Sequence, residues 1–297
     1  MSNSQQNYIV GIGEALWDML PEGRKIGGAP ANFTFHISQF GLDAVAVSAV
    51  GDDALGKEIH QTFDQKGLQT QLATVPYPTG TVEVTLDEKG IPQYDICEGV
   101  AWDNIPFSPE LEALARNTIA VCYGTLAQRN SVSRKTIESF IAAMPADGIK
   151  ICDINLRGTF YNKEILESSM RACDILKIND EEIDEVSRLL GAEFPTQRMA
   201  ALNLMSRYEV DILILTCGTN GSYIYSMDGT ESFLPTPKVK VADTVGAGDS
   251  FTGAFIAALL CGKDIKKAHA LAVEVSAYVC TQNGAMPELP DEIIDKL

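Results

Sequence analysis

The chain has 297 residues, 45% of them hydrophobic, and a formal net charge of −17 at neutral pH. That length and apolar content suffice for one large core, whereas the acidic balance argues against a nucleic-acid or anionic-membrane surface. Any site for a polyanion in such a chain must draw on local cations, helix ends and a metal. The seven cysteines, odd in number and without paired short spacings, read as reduced, buried thiols of a cytoplasmic protein. Met1 to Asn7 is polar and offers no signal peptide, and no apolar run approaches membrane-spanning length.

Tyr8 to Gly13 reads as a first buried strand. Gly11-x-Gly13 invites a dinucleotide reading, but Leu16 stands where a third glycine is needed, so the fingerprint fails. Gly27-Gly28-Ala29-Pro30 starts a helix, with Pro30 suited to its first turn. Phe33, Ile37 and Phe40 give that helix an apolar stripe and Gly41 ends it. His36 on the same helix lacks companions at metal-ligand spacing and is expected to be packed rather than liganding. Ala44 to Val50 is a second buried strand. The following Gly51-x-x-x-x-Gly56-Lys57 falls short of a phosphate-binding loop, because Glu58 replaces the hydroxyl that would reach magnesium.

From Gly67 to Trp102 the pattern changes. Thr81 to Leu86 alternates, Asp87-Glu88-Lys89-Gly90 is a turn and Ile91 to Cys97 a return strand, so a hairpin projects from among the helix–strand units. From Thr118 the chain settles into strand–helix alternation. Strands are expected at Thr118 to Tyr123, Ile149 to Asp153, Ile175 to Ile178 and Asp211 to Thr216. Helices are expected near Val132 to Met144, Lys163 to Ala172 and Asp264 to Cys280. That rhythm implies a parallel α/β sheet with ligands at the carboxyl ends of its strands. Asp153-Ile154-Asn155-Leu156-Arg157 and Lys177-Ile178-Asn179-Asp180-Glu181-Glu182 both fall at such ends.

The stretch Asp243-Thr244-Val245-Gly246-Ala247-Gly248-Asp249 is expected to begin as a loop and to become a helix at Asp249. Phe251, Ala254, Phe255 and Ala258 then recur at helical spacing, with Gly262 past the end. A small-residue loop running into a helix start offers free N–H groups backed by the helix dipole, which is an anion site. Asp249 beside it either caps the helix or receives a proton from a hydroxyl while the loop holds a phosphoryl group.

The run Asp243 to Asp249, D-T-V-G-A-G-D, resembles the C-terminal signature of the ribokinase-like (PfkB) carbohydrate kinases, and Gly27 to Asn32, G-G-A-P-A-N, resembles their N-terminal one. The resemblance extends from Ile9 to Pro287. It implies an α/β fold with a central, mostly parallel sheet flanked by helices, in a single domain over residues 1–297. A small β-stranded lid, formed by inserted strands around 14–27 and 77–103, would cover the sugar and could also carry a homodimer contact. The resemblance makes Asp249 the catalytic base and Gly246-Ala247-Gly248 the anion hole. It brings Asp18, Gly27, Gly28, Asn32 and Asn155 to the sugar, and Arg157 to the substrate or the γ-phosphate. It places Lys177, Asn179, Thr216, Gly218, Gly221, Gly248 and Asn283 along the nucleotide. Asn179 and Glu182 would organise magnesium, chiefly through waters, and oxygens of Asp243, Thr244 and Ala285 could bind potassium. The implied activity is phosphoryl transfer from ATP to a sugar. Fructose is favoured over ribose because ribokinases typically read G-G-K-G-A-N where this chain has G-G-A-P-A-N. Other sugars or sugar acids such as 2-keto-3-deoxygluconate, a nucleoside, or a non-catalytic sugar-binding regulator are the alternatives. Many fructokinases carry an aromatic-Arg-Gly run near the lid's end, whereas this chain has Ile96-Cys97-Glu98-Gly99.

Overall fold

In the computed structural model, which describes residues 7–20, 23–86 and 92–297, two sheets divide the strands between them. The strands are β1 (Tyr8–Ile12), β2 (Leu16–Leu20), β3 (Gly23–Gly27), β4 (Ala44–Gly51), β5 (Gln69–Val75), β6 (Gly80–Leu86) and β7 (Pro92–Ile96), then β8 (Thr118–Gly124), β9 (Ile149–Asp153), β10 (Ile175–Asn179), β11 (Ile212–Thr216), β12 (Ser222–Ser226) and β13 (Glu231–Leu234). The large sheet runs β13-β12-β11-β10-β9-β8-β1-β4-β5, parallel from β5 through to β11 and antiparallel only at β12 and β13. The small sheet runs β3-β2-β6-β7. The turn expected over 87–90 lies outside the described residues.

The helices are α1 (Ala29–Ser38), α2 (Ala54–Gln65), α3 (Pro109–Ala115), α4 (Ser131–Ala143), α5 (Lys163–Arg171), α6 (Asp180–Leu189), α7 (Gln197–Tyr208), α8 (Ala247–Leu260), α9 (Ile265–Val279) and α10 (Asp291–Ile294). Successive strand residues point to opposite faces, so each central strand feeds two cores. Val121, Tyr123, Leu176 and Ile178 meet Phe140, Leu166 and Val186 of the α4, α5 and α6 layer. Ala120, Ile151, Ile175 and Ile214 meet Phe33, Phe255 and Val275 of the α1, α8 and α9 layer. A sheet covered on both sides explains why its strands are mostly apolar rather than strictly alternating.

The chain leaves β1 for β4 and β5 on one side and for β8 to β11 on the other. At the carboxyl ends around β1, this reversal opens the crevice where open α/β sheets bind ligands. The small sheet stands against the same end, its base packed through Ala15 and Trp17 onto Phe35 of α1 and Phe63 of α2.

Two expectations need correction, and one strand was not anticipated. The stretch 69–75, which precedes the expected lid strands, is the parallel edge strand of the large sheet, paired with β4. Helix α8 begins at Ala247 rather than Asp249, because Gly246 takes a left-handed backbone (φ 77°) and turns the chain into the helix one residue earlier. The cysteines are all free, but Cys261 is exposed. The Gly51 to Gly56 loop is closed by one of its own side chains. Its own Asp53 carboxylate accepts the Gly56 N–H (2.7 Å) and the Thr79 hydroxyl (2.7 Å), occupying the place an anion would take.

Candidate active site

Two stretches 217 residues apart meet at one hydrogen bond: the Asn32 side-chain amide donates to Asp249 Oδ2 at 2.7 Å. Asn32 lies in the first turn of α1, behind the Gly28 N-cap, and Asp249 lies in the first turn of α8. The two helices pack side by side over the β1 and β8 end of the sheet, which brings their amino ends together. A narrow cavity there is lined by Glu14, Asp153, Asn155, Asp249 and Thr252 among others.

The anion loop has a cation behind it. Lys177, at the end of β10, is buried and reaches Asp153 Oδ1 at 3.0 Å. Its ammonium also lies beside Gly248, where an added Cβ would stand 3.1 Å from Nζ. Glycine at 248 therefore lets a buried ammonium approach the first turn of α8 directly, next to N–H groups that no helix can satisfy internally. Gly246 is equally constrained, since a Cβ there would strike Ala285 at 2.7 Å.

The electrostatics follow from crowding of carboxylates. Burial, and then the charge of Asp153, raise the Asp249 pKa to about 6, against the Asn32 hydrogen bond and the charges of Lys177 and Arg157. Burial likewise raises Glu14, whose Oε2 has no hydrogen-bond partner, and the charge of Asp249 raises it further. Asp18 is raised by burial and eased by Arg157 and Lys25. Burial works against the Lys177 charge, but Asp153, Glu182 and Asp249 outweigh it and raise its pKa.

The loop after β9 is tied to the start of α6. Asn179 caps α6 by accepting the Glu181 and Glu182 N–H groups, and Glu182 accepts from the N–H groups of Asn179 (3.0 Å) and Leu156 (2.9 Å). Each Glu182 oxygen thus keeps a lone pair, which suits holding a metal's water shell better than chelating the ion. Asn155 sits in the left-handed region (φ 44°), a conformation asparagine tolerates. Arg157 is exposed, and its Nη1 donates to the Leu156 carbonyl at 2.9 Å.

Asp18 lies against Gly27 across the β2–β3 pair. Thr216, Gly218 and Gly221 stand one strand further out, around the end of β11, and Asn283 is exposed on the loop after α9; none of these lines the cavity at Asp249. His36 and His269 are both buried and hydrogen-bonded, His36 to the Ala285 carbonyl and His269 to Ser222 and Ser232.

Two features escaped the sequence. Glu14 follows β1, and asking which acids stand at the carboxyl ends of central strands, as Asp153 does on β9, could have found it. Arg129 carries no such signal. It comes from the turn after β8, pairs with Asp103 through two hydrogen bonds (2.8 and 2.9 Å) and donates to the Cys97 carbonyl. It is sandwiched between Trp102 and Phe160. A guanidinium therefore does reach the segment that lacks the fructokinase arginine, but from another part of the chain and already neutralised.

Known proteins bear on this geometry. An ATP-dependent 6-phosphofructokinase of Thermoanaerobacterium thermosaccharolyticum is 28% identical over 302 residues, covering 95% of this chain and 91% of that protein. A fructokinase of Klebsiella pneumoniae is 28% identical over 298 residues, covering 94% and 95%. The crystal structure of a fructokinase with bound ATP from Xylella fastidiosa superposes with a TM-score of 0.84 at 21% identity, over 98% of both chains, and shares the fold. The family model for pfkB family carbohydrate kinases matches residues 22–292, and with nearly its whole length so matched this chain belongs to that family, whose members transfer a phosphoryl group to a sugar hydroxyl.

Proposed function

We propose that the protein phosphorylates free fructose from ATP, with Asp249 as the base. The observation that carries this is the Asn32 to Asp249 bond, which brings the two signature stretches to one cavity beside a helix amino end. Asp18 and Asn32 hold sugar hydroxyls near Gly27 and Gly28, with Asn155 on the opposite wall. Asp249 takes the proton of the attacking hydroxyl. The N–H groups of Gly246 and Gly248, and that of Ala247 once released from the Thr244 carbonyl, face the charge on the transferring group, with the Lys177 ammonium behind Gly248. Arg157 swings to the γ-phosphate or the acceptor. Asn179 and Glu182 would hold magnesium through its water shell, and the ion would supply charge neutralisation for the ATP phosphates. Thr216, Gly218, Gly221 and Asn283 border the nucleotide.

The small sheet serves as a lid that excludes water, which would otherwise compete as acceptor. Its edges, β3 and β7, are where a second copy would pair. We place the reaction in the cytoplasm, where ATP is abundant and seven free thiols stay reduced.

A phosphorylated acceptor, as in the name of the Thermoanaerobacterium relative, fits less well. Around the site Lys25, Lys177 and Arg129 each already face a carboxylate, at Asp243, Asp153 and Asp103. Among the described residues around the site, Arg157 is the remaining guanidinium, and Glu14 and Asp18 stand near it. One free counter-charge among the several acids described there favours a neutral sugar over a dianion.

The test is ADP formation over fructose, fructose 6-phosphate, ribose and 2-keto-3-deoxygluconate. Fructose is expected to give the highest kcat/KM; a higher value for any other member reassigns the acceptor. The pH profile is a second prediction. Asp249 acts only when ionised, so kcat/KM should fall tenfold per pH unit below about 6. An acid limb near pH 4 would mean that the essential base is an unperturbed carboxylate elsewhere.

A further inference from the structure

The potassium site implied by resemblance does not fit the donors present. Asp243 Oδ1 accepts the Val245 N–H, and its Oδ2 accepts both the Gly284 N–H and the Lys25 ammonium, each at 3.1 Å, which leaves Oδ2 no lone pair for an ion. The Ala285 carbonyl accepts from His36 Nε2 at 2.9 Å. The Gln39 amide facing His36 Nδ1 at 3.4 Å suits the tautomer with its proton on Nε2. The Thr244 carbonyl accepts the Ala247 N–H. A potassium ion at this donor set would stand beside the Lys25 ammonium, and like charges that close repel.

From this arrangement we infer that Lys25 is the protein's own monovalent cation, a positioning residue that takes the place of potassium. Lys25 lies on β3 of the small sheet, and Asp243 opens the run that turns at Gly246 into α8. Asp243 also grips the loop after α9 through Gly284, and the next residue, Ala285, packs against Gly246. One ammonium therefore neutralises the carboxylate on which three segments converge, and so holds the shape of the anion loop. It also ties the small sheet to the nucleotide side of the cleft, a bond across 218 positions of sequence. The inference deepens the kinase reading of the same loop and rests on it for the choice of MgATP as probe.

The experiment compares the full chain in potassium chloride and in tetramethylammonium chloride at matched ionic strength, reading the melting temperature and calorimetric affinity for MgATP. Neither readout needs turnover. In the wild type both should be unchanged between the salts, within about twofold for affinity. In Lys25→Met, affinity in tetramethylammonium should fall roughly 10-fold, the size of one charged hydrogen bond, and recover in potassium, while Lys25→Arg should behave as wild type. A wild type whose melting temperature or affinity rises specifically with potassium overturns the inference. So does a Lys25→Met variant that matches wild type in both salts. If wild type fails to bind MgATP at all, the kinase reading falls, and the melting temperatures of the three proteins still decide the role of Lys25.

Discussion

Asp249→Asn should lower kcat by roughly 10² to 10⁴, the usual worth of a positioned base, while leaving MgATP affinity within a few-fold. The amide has nearly the carboxylate's shape and can still accept from Asn32, so the cavity should persist. The same change should stabilise the fold. A carboxyl whose pKa rises from 3.8 to about 6 on folding favours the folded state fully only below pH 4, and that advantage is lost as pH rises through 6. Above that range the ionised group costs up to ~3 kcal/mol. Urea unfolding at pH 8 should therefore show the variant ~1–3 kcal/mol more stable than wild type, with the difference vanishing near pH 4. Loss of turnover with gain of stability separates a strained functional carboxylate from a helix cap, since removing a cap destabilises.

Lys177→Met should have the opposite effect on stability. Lys177 and Asp153 form a buried pair with side-chain exposures of 10% and 8%, and removing one partner strands the other charge. The expected loss is ~3–5 kcal/mol, measured by urea unfolding, with MgATP affinity falling because the cation behind Gly248 is gone. Adding Asp153→Asn to that variant should restore much of the stability and none of the affinity. Restoration of both would show that Lys177 supports the site only by holding Asp153, and no loss in the single variant would mean that the pair is not buried in solution.

The parts of this molecule legible in its sequence are those governed by local rules. Mostly apolar runs at Ala44–Val50 and within 211–216 announced strands covered on both faces, and glycine pairs before helical spacing announced the amino ends of α1 and α8. β5 was not legible, because Gln69-Thr70-Gln71 at the sheet's edge is half-exposed and polar. Nor were β12 and β13, which reverse the sheet's direction with no run that separates parallel from antiparallel pairing. The side-chain pairs of the site were invisible for a different reason. Lys25 with Asp243, Asn32 with Asp249 and Arg129 with Asp103 each join residues that only the finished topology brings together. Glycines at 246 and 248 marked where the backbone had to be bare, but not that an ammonium from β10 would fill the gap.

The most direct measurement is a crystal structure with fructose and a non-hydrolysable ATP analogue. The account requires a sugar hydroxyl within hydrogen-bond reach of the Asp249 carboxylate, about 3 Å, in line with a γ-phosphate resting on the Gly246 to Gly248 amides. Fructose bound away from Asn32 and Asp249, or a terminal phosphate that does not touch that loop, would contradict it.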